Sequence, residues 1–357
     1  MRKPTIGMIG SHSAEEIGVS AKACGFPTVV VCQKGREKFY TKYNKHLYDE
    51  IIVLDKFSDM MHDEIQIKLE ELDTIWMPNR SFSVYVGYDD IENIFRIPIY
   101  GNRRILRVEE RGFPKDQYWL LKESGIRIPK SFKPDEIDRL VIVKIQQKGN
   151  PLERAFFYVN TPEDFEKTAS SLIENNAISE SDLDESTIEE FIVAPRFNAN
   201  FQAYGMNDTF GDLDFVGFED RIQTNLTGLL NLPARDQMKL DLLTVNEEVG
   251  HKGVTMRESK KPLVYEAAEG LLEGVKKHFP PRMIGLFSLQ GALTETSEFV
   301  VFDLSPRVPG APCIGPTSPE MRRLTLKTGR PIQSPLDLCM IDIETAEEQN
   351  RREEITT

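Results

Sequence analysis

The first hundred residues alternate short apolar runs with amphipathic stretches, the pattern of buried strands separated by helices. Residues 5–9 form an apolar run, Gly10-Ser11-His12 follows, residues 13–24 have helical spacing, and a second apolar run covers 28–32 after Gly25. This order predicts a β-α-β unit at the start of an open α/β domain. Ser13 and Glu16 have the spacing of a capping box at the helix start. Strands at 50–54 and 74–77 around a helical stretch at 59–72 continue the alternation. From Gly101 the chain turns charged and helical, with Arg103, Arg104, Arg107, Glu109, Glu110 and Arg111, and this marks a boundary.

A helix at 117–124 is closed by Gly125 and Pro129. Strands at 140–145, 155–159 and 187–193 with a helix at 162–174 predict a compact α+β unit. Strand-rich sequence covers 198–230, and helices are expected at 264–277 and 319–328. The end, 345–357, is charged without an apolar stripe and is expected to fray.

Residues 283–310, MIGLFSLQGALTETSEFVVFDLSPRVPG, read as a β-hairpin carrying polar side chains on otherwise apolar strands. Regular alternation places Phe299, Val301, Asp303 and Ser305 on one side. With the turn centred between Thr296 and Ser297, Gln290 stands opposite Asp303, at about 5 Å between Cβ atoms. Two oxygen donors so placed suit a hard cation such as Mg²⁺, completed by phosphates and water. Arg307 follows within reach of the same phosphates.

Composition narrows the classes. The chain of 357 residues is long enough for two or three units, and its net charge of −13 argues against a nucleic-acid partner. Cys24, Cys32, Cys313 and Cys339 have no CxxC spacing, which predicts free thiols in a reducing cytoplasm and no zinc site. The start, MRKPTIGMIGSH, has no signal-peptide pattern, and no apolar run is long enough to cross a bilayer, so no membrane partner is expected.

The order of parts, an α/β start, LLKESGIRIP, the strand VIVK, the segment IEEFIVA and the ligand hairpin, resembles the ATP-grasp superfamily of carboxylate–amine ligases. Within it, GSH at 10–12, KGR at 34–36, PNRSF at 78–82, YGNRRILR at 100–107, LPARDQ at 232–237, MRES at 256–259 and FSLQ at 287–290 resemble the archaeal formate-dependent 5-formaminoimidazole-4-carboxamide ribonucleotide synthetase family. The resemblance spans residues 5–343. It implies a mixed α/β and α+β architecture: an ATP-grasp fold behind an N-terminal Rossmann-like domain. On that basis 1–103 is a substrate-binding α/β domain, 104–196 and 197–344 are the two grasp subdomains, and 345–357 is a charged tail. The implied activity is ATP- and magnesium-dependent formylation of an aminoimidazole carboxamide ribotide with formate, in purine biosynthesis, by a homo-oligomer. Manganese is the alternative cation.

The resemblance also implies roles residue by residue. Lys144 becomes the ATP lysine, and Glu189, Glu190, Phe191, Ile192 and Val193 the adenine hinge. Gln223 stands where the family has an ATP-contacting glutamate. His12 and Ser81 become ribotide contacts, with His251 where the family has a substrate-contacting asparagine. Gln290 and Asp303 become metal ligands, Asp303 replacing a glutamate, and Arg307 the catalytic arginine. Lys34, Arg36, Arg103 and Arg104 are candidates for the ribotide phosphate. Asn79 replaces a histidine, and the loop at 145–154 holds a single glycine where the family has a glycine-rich phosphate loop. These departures leave two alternatives open: an ATP-grasp ligase using another carboxylate or amine, and a catalytically silent nucleotide-binding paralogue.

Overall fold

The computed structural model describes residues 3–145, 156–240, 248–310 and 314–357. Most of the glycine-poor loop, 146–154, and Cys313 lie outside the described residues.

Strands β1 (Thr5–Ile9), β2 (Thr28–Gln33), β3 (Glu50–Leu54) and β4 (Thr74–Trp76) form a parallel sheet in the order β3-β2-β1-β4. Ile6, Met8, Val29 and Val31 are fully buried because helices and the rest of the molecule cover both faces. Helix Ala14–Ala23 links β1 to β2. Its entry corrects the expected capping box. Ser13 is left-handed at φ 65° and makes no side-chain cap bond; its hydroxyl donates instead to the Pro309 carbonyl at 3.3 Å.

A second, antiparallel sheet contains β5 (Ser131–Phe132), β6 (Val141–Lys144), β7 (Phe156–Val159) and β8 (Thr187–Glu190) in the order β5-β8-β6-β7. Helix Pro162–Glu174 covers it through Phe165 and Ala169. The strand expected over 187–193 stops at Glu190.

The third sheet is antiparallel and five-stranded: β9 (Arg196–Ala203), β10 (Leu213–Gln223), β11 (Glu248–Val254), β12 (Gly285–Leu293) and β13 (Phe299–Ser305), in the order β11-β10-β9-β12-β13. Its two faces differ in chemistry. Phe197, Ala199, Phe201, Phe215, Phe287, Leu289, Val301 and Leu304 pack on helices Gln117–Glu123 and Lys261–His278. The alternate positions Asn198, Asn200, Gln202, Ser288 and Gln290 are polar, yet buried.

Gln290 does pair with Asp303, but Gly291 pairs with Val301, so Phe302 is an extra residue at a bulge. The bulge corrects the expected side-sharing. Phe299, Val301 and Leu304 share one core, which puts Asp303 and Ser305 on the opposite face from Phe299 and Val301.

The C-terminal part differs most from expectation. Helix Pro335–Glu348 packs against helix Ala14–Ala23 and buries most of its residues, from Pro335 to Ala346. The following residues do not fray. Thr357 and Ile99 exchange backbone hydrogen bonds at 3.0 Å, Ile355 is fully buried, and Arg352 pairs with Asp73 at 2.5 Å. Long-range ion pairs and one apolar anchor hold a segment whose local pattern is polar.

Candidate functional site

A cleft of ≈ 590 Å³ lies between the small antiparallel sheet and the polar face of the five-stranded sheet, with the end of β1 at its margin. Its walls bring together His12, Lys144, Glu190, Phe191, Ile192, Gln223, Gln290, Asp303 and Arg307. Each reaches it for a local reason. Lys144 ends β6 on the face opposite Val143, which is in the core. Gln223 ends β10, two residues from Arg221, so alternation turns both side chains the same way. The bulge at Phe302 aims Asp303 inward.

A row of polar side chains crosses the sheet. Glu219 stands opposite Asn198, Asn198 opposite Gln290, and Gln290 opposite Asp303. Asn198 donates to Glu219 Oε1 at 3.0 Å, and His251 Nδ1 lies 2.6 Å from Glu219 Oε2. The signal for this row in the sequence is the strict alternation in RFNANFQA, in which Asn198, Asn200 and Gln202 share one face.

Two ionic knots divide the cleft. At the first, Glu189 is almost fully buried and receives Lys144 Nζ at 2.5 Å, Tyr118 Oη at 2.9 Å and Arg111 Nη1 at 3.3 Å. Burial pushes the Lys144 ammonium below its usual pKa, and the Glu189 carboxylate opposes that shift. Arg111 also donates to the Phe302 carbonyl at 2.6 Å, tying the small sheet to the bulge. At the second knot, Arg307 grips Glu109 in a fork, at 2.5 Å from Nη2 and 3.2 Å from Nε, with both side chains buried. Arg80 adds a contact to Glu110 at 2.8 Å. Between the knots, Arg196 lies over the Phe191 ring at 4.6 Å from its centroid, and burial lowers its pKa.

Arg80, Glu109, Glu110, Arg111, Gln117 and Arg196 line the cleft without having been anticipated as site residues. The charged run at 103–111 was visible, but its ion pairs reach partners as far away as Glu189 and Arg307. No local pattern encodes that.

Other expected residues lie elsewhere. Ser81 is buried in helix Arg80–Val86 and does not line the cleft. The cap of that helix is Asn79, whose Oδ1 accepts from Phe82 N at 3.1 Å. Asn79 Nδ2 also donates to the carbonyls of Ser11 at 3.0 Å and His12 at 2.8 Å, so it shapes the His12 loop. His251 is outside the lining but close to it: a Cβ added at Gly310 would sit 2.9 Å from His251 Nε2 and 3.3 Å from His12 Cε1. Among the phosphate candidates, Lys34 pairs with Asp55 at the surface. Arg36 packs on Tyr85. Arg103 donates to the carbonyls of Ile91, Phe95 and Thr357. None of these, nor Arg104, lines the cleft.

The donor set bears on a cation. Among the described residues no group of three or more His, Cys, Asp or Glu side chains could hold a metal ion. One amide oxygen and one carboxylate on paired strands, facing a cleft rich in cationic side chains, fit a hard ion that shares its shell with phosphates and water.

Comparison with known proteins places the chain. Residues 164–357 match the family model described as a domain of unknown function, DUF1297, and residues 6–132 match one described as a protein of unknown function, DUF1246. The 5-formaminoimidazole-4-carboxamide-1-(beta)-D-ribofuranosyl 5'-monophosphate synthetase of Methanopyrus kandleri is 40% identical over 308 residues, covering 86% of this chain and 83% of that protein. The protein of the same name from Methanothermobacter thermautotrophicus is 38% identical over 308 residues, covering 86% and 82%. Among solved structures, the IMP biosynthesis protein PurP from Thermococcus kodakaraensis superposes with a TM-score of 0.70 at 21% identity, covering 99% of this chain and 100% of that one. The ADP complex of an N5-carboxyaminoimidazole ribonucleotide synthetase gives 0.57 at 12% identity, covering 86% and 71%.

Proposed function

Since the chain belongs to the archaeal 5-formaminoimidazole-4-carboxamide ribonucleotide synthetase family and has its ATP-grasp fold, we propose that it formylates 5-aminoimidazole-4-carboxamide ribonucleotide with formate and ATP, releasing ADP and phosphate. The observation that carries this reading is the cross-strand pair Gln290 and Asp303, set in a cleft whose other wall offers Lys144 and the segment Glu190, Phe191 and Ile192.

The chemistry explains why such a site suffices. Formate is a poor acyl donor because its leaving group is oxide or hydroxide. Transfer of the terminal phosphoryl group to formate gives formyl phosphate and ADP. The ribotide amine then attacks the formyl carbon, the C–O bond to phosphate breaks, and the amine proton leaves with the phosphate. Alignment and charge neutralisation drive both steps, so no covalent nucleophile is required.

In this reading Gln290 and Asp303 would hold a divalent cation, magnesium or manganese, which would supply charge neutralisation to the triphosphate. Lys144 meets the same phosphates by exchanging its contact with Glu189, and its lowered pKa reflects how little solvent shields it. Glu190, Phe191 and Ile192 receive the adenine, with Gln223 beside the nucleotide. Arg307, anchored by Glu109, stabilises the charge that develops during phosphoryl transfer. His12 and His251 contact the ribotide. The division into units at 1–103, 104–196 and 197–344 belongs to this proposal and is supported by the three separate sheets.

Self-association is also proposed, supported by the exposed apolar side chains Leu230, Met238 and Val249. Among the described residues no helix is long and apolar enough to cross a membrane. A cytoplasmic location agrees with the free thiols of Cys24, Cys32 and Cys339.

The test is ADP formation by purified protein with and without formate, ribotide and Mg²⁺ or Mn²⁺. The proposal expects turnover only when both substrates and a divalent ion are present, and its loss in Gln290→Ala and Asp303→Ala. ADP release with another carboxylate or amine and none with formate would instead indicate changed substrates. Nucleotide binding without turnover would indicate a silent paralogue.

A further inference from the structure

We propose that Arg111 and Gln117 are positioning residues that set the cation affinity of the site by fixing the direction in which Asp303 leaves its strand. The inference rests on the reading of Gln290 and Asp303 as cation ligands and names what holds the second of them in place.

Strand β13 is an edge of the five-stranded sheet, so the backbone groups on its outer side have no neighbouring strand to bond. Three of them are met by the segment 109–127 instead. Val301 N donates to the Arg127 carbonyl at 2.9 Å, the Phe302 carbonyl accepts from Arg111 Nη2 at 2.6 Å, and Leu304 N donates to Gln117 Oε1 at 2.9 Å. The last two bracket Asp303. The Phe302 carbonyl belongs to the peptide plane that precedes the Asp303 Cα, and the Leu304 amide to the plane that follows it. Peptide planes are rigid, so only two torsions separate them at residue 303. Holding both planes fixes those torsions, and with them the Cα–Cβ direction. Among the described residues the Asp303 carboxylate has no hydrogen bond or ion pair, so the backbone and not a partner side chain places its short arm opposite Gln290.

The two clamp residues are themselves held. Arg111 is mostly buried, with Nη1 donating to Glu189 Oε1 at 3.3 Å and its guanidinium over the Tyr118 ring at 4.6 Å from the centroid. Gln117 is 2% exposed, and its Nε2 donates to the Glu109 carbonyl at 2.6 Å. Glu109 in turn grips Arg307. A guanidinium has no lone pair to offer a cation, so Arg111, although part of the cleft wall, acts on the cation site through Phe302. Outer partners of this kind change metal affinity about 10- to 100-fold through the ligands they orient.

Isothermal titration would measure ADP affinity in EDTA and in excess Mg²⁺ for wild type, Arg111→Met, Arg111→Lys and Gln117→Met, with urea denaturation of each as the control for folding. The readout is the factor by which Mg²⁺ tightens ADP binding, in which changes to the nucleotide contacts themselves cancel. Wild type should show the tightening, and Arg111→Met and Gln117→Met should each reduce the factor about tenfold. Arg111→Lys keeps the charge beside Glu189 and one donor near Phe302, so it should reduce the factor less, and it carries the test if Arg111→Met does not fold. In an Asp303→Ala background the same substitutions should leave the factor where that change alone puts it. In turnover, the KM for Mg²⁺ should rise in the same order while kcat at saturating Mg²⁺ stays within a few-fold. A merely structural role would lower the urea midpoint, and a direct contact of Arg111 with phosphate would weaken ADP binding in EDTA; both would leave the factor as in wild type, and that result overturns the inference alone. A wild-type protein whose ADP affinity does not respond to Mg²⁺ overturns the cation reading of Gln290 and Asp303, and the clamp with it.

Discussion

At the scale of single residues, the site depends on charges whose partners come from distant parts of the chain. Glu16 shows the energetic consequence. Burial, then the nearby Glu219 and Asp337 carboxylates, raise its pKa from 4.5 to about 7. Below pH 4.5 the group is protonated whether the chain is folded or not, and stability is unaffected. Between pH 4.5 and about 7 the unfolded chain ionises first, so the fold loses stability as pH rises, by roughly 3 kcal/mol once above 7. Glu16→Gln should therefore stabilise the protein at pH 8 and leave it unchanged at pH 4, measured by urea denaturation at both. An equal effect at the two values would assign the change to packing instead. Gly310 provides a steric counterpart. Its φ lies outside the left-handed region, so Gly310→Ala strains no backbone and acts only through the new methyl, 2.9 Å from His251 Nε2. The KM for ribotide should rise about tenfold or more while nucleotide affinity stays constant, which isothermal titration with ADP would check; about 1.4 kcal/mol of lost contact corresponds to that factor.

At the scale of elements, the bulge in β13 decides which residues meet the cleft. Because Gln290 pairs with Asp303 and Gly291 with Val301, removing Phe302 makes the two pairs consecutive without moving either flank. The Phe302-deleted chain should melt cooperatively near the wild-type temperature. It loses the carbonyl that anchors Arg111 and the ring beneath Arg196, so ADP formation should fall by at least about 100-fold. Full activity would show that the bulge is incidental. The same strand marks the limit of what the sequence makes legible. The pairing of Gln290 with Asp303 follows from counting residues across a turn, but one inserted residue reverses the faces, and alternation cannot reveal it. Strands 5–9 and 28–32 and helix Pro162–Glu174 were readable because each has a local period and clear stop signals. Helix Pro335–Glu348 was not, since a helix buried around its whole circumference has no polar face to generate a period. Its buried Asp342 is satisfied by Gly205 N at 2.7 Å, Met206 N at 2.8 Å and Tyr100 Oη at 2.8 Å, partners more than a hundred residues away.

At the scale of the molecule, the last residues of the chain join the parallel sheet to the five-stranded one. Helix Pro335–Glu348 shares one core with β1, helix Ala14–Ala23 and the edge residues Tyr204, Val216 and Leu286. The residues after it continue the connection. Arg351 pairs with Asp208 at 2.7 Å, Arg352 with Asp73 at 2.5 Å, and Thr357 adds a short backbone pairing to Ile99. The ion pairs are partly exposed and contribute little each. Ile355, fully buried, contributes roughly 2 to 3 kcal/mol, and loss of the Ile99 pairing adds about 1 kcal/mol. Removal of residues 350–357 should therefore destabilise the fold by about 3 to 4 kcal/mol and lower the melting temperature by several degrees. The loss should be felt first where β1 and the His12 loop meet the five-stranded sheet, far in sequence from the truncation. Hydrogen exchange would show it as faster exchange at β1 and at residues 97–101 while β6 and β8 remain unchanged. Because His12 and Gly310 face each other across that junction, the truncated chain should bind ribotide more weakly and bind ADP as before. Unaltered exchange at β1 would mean that helix Pro335–Glu348 alone holds the two sheets in register.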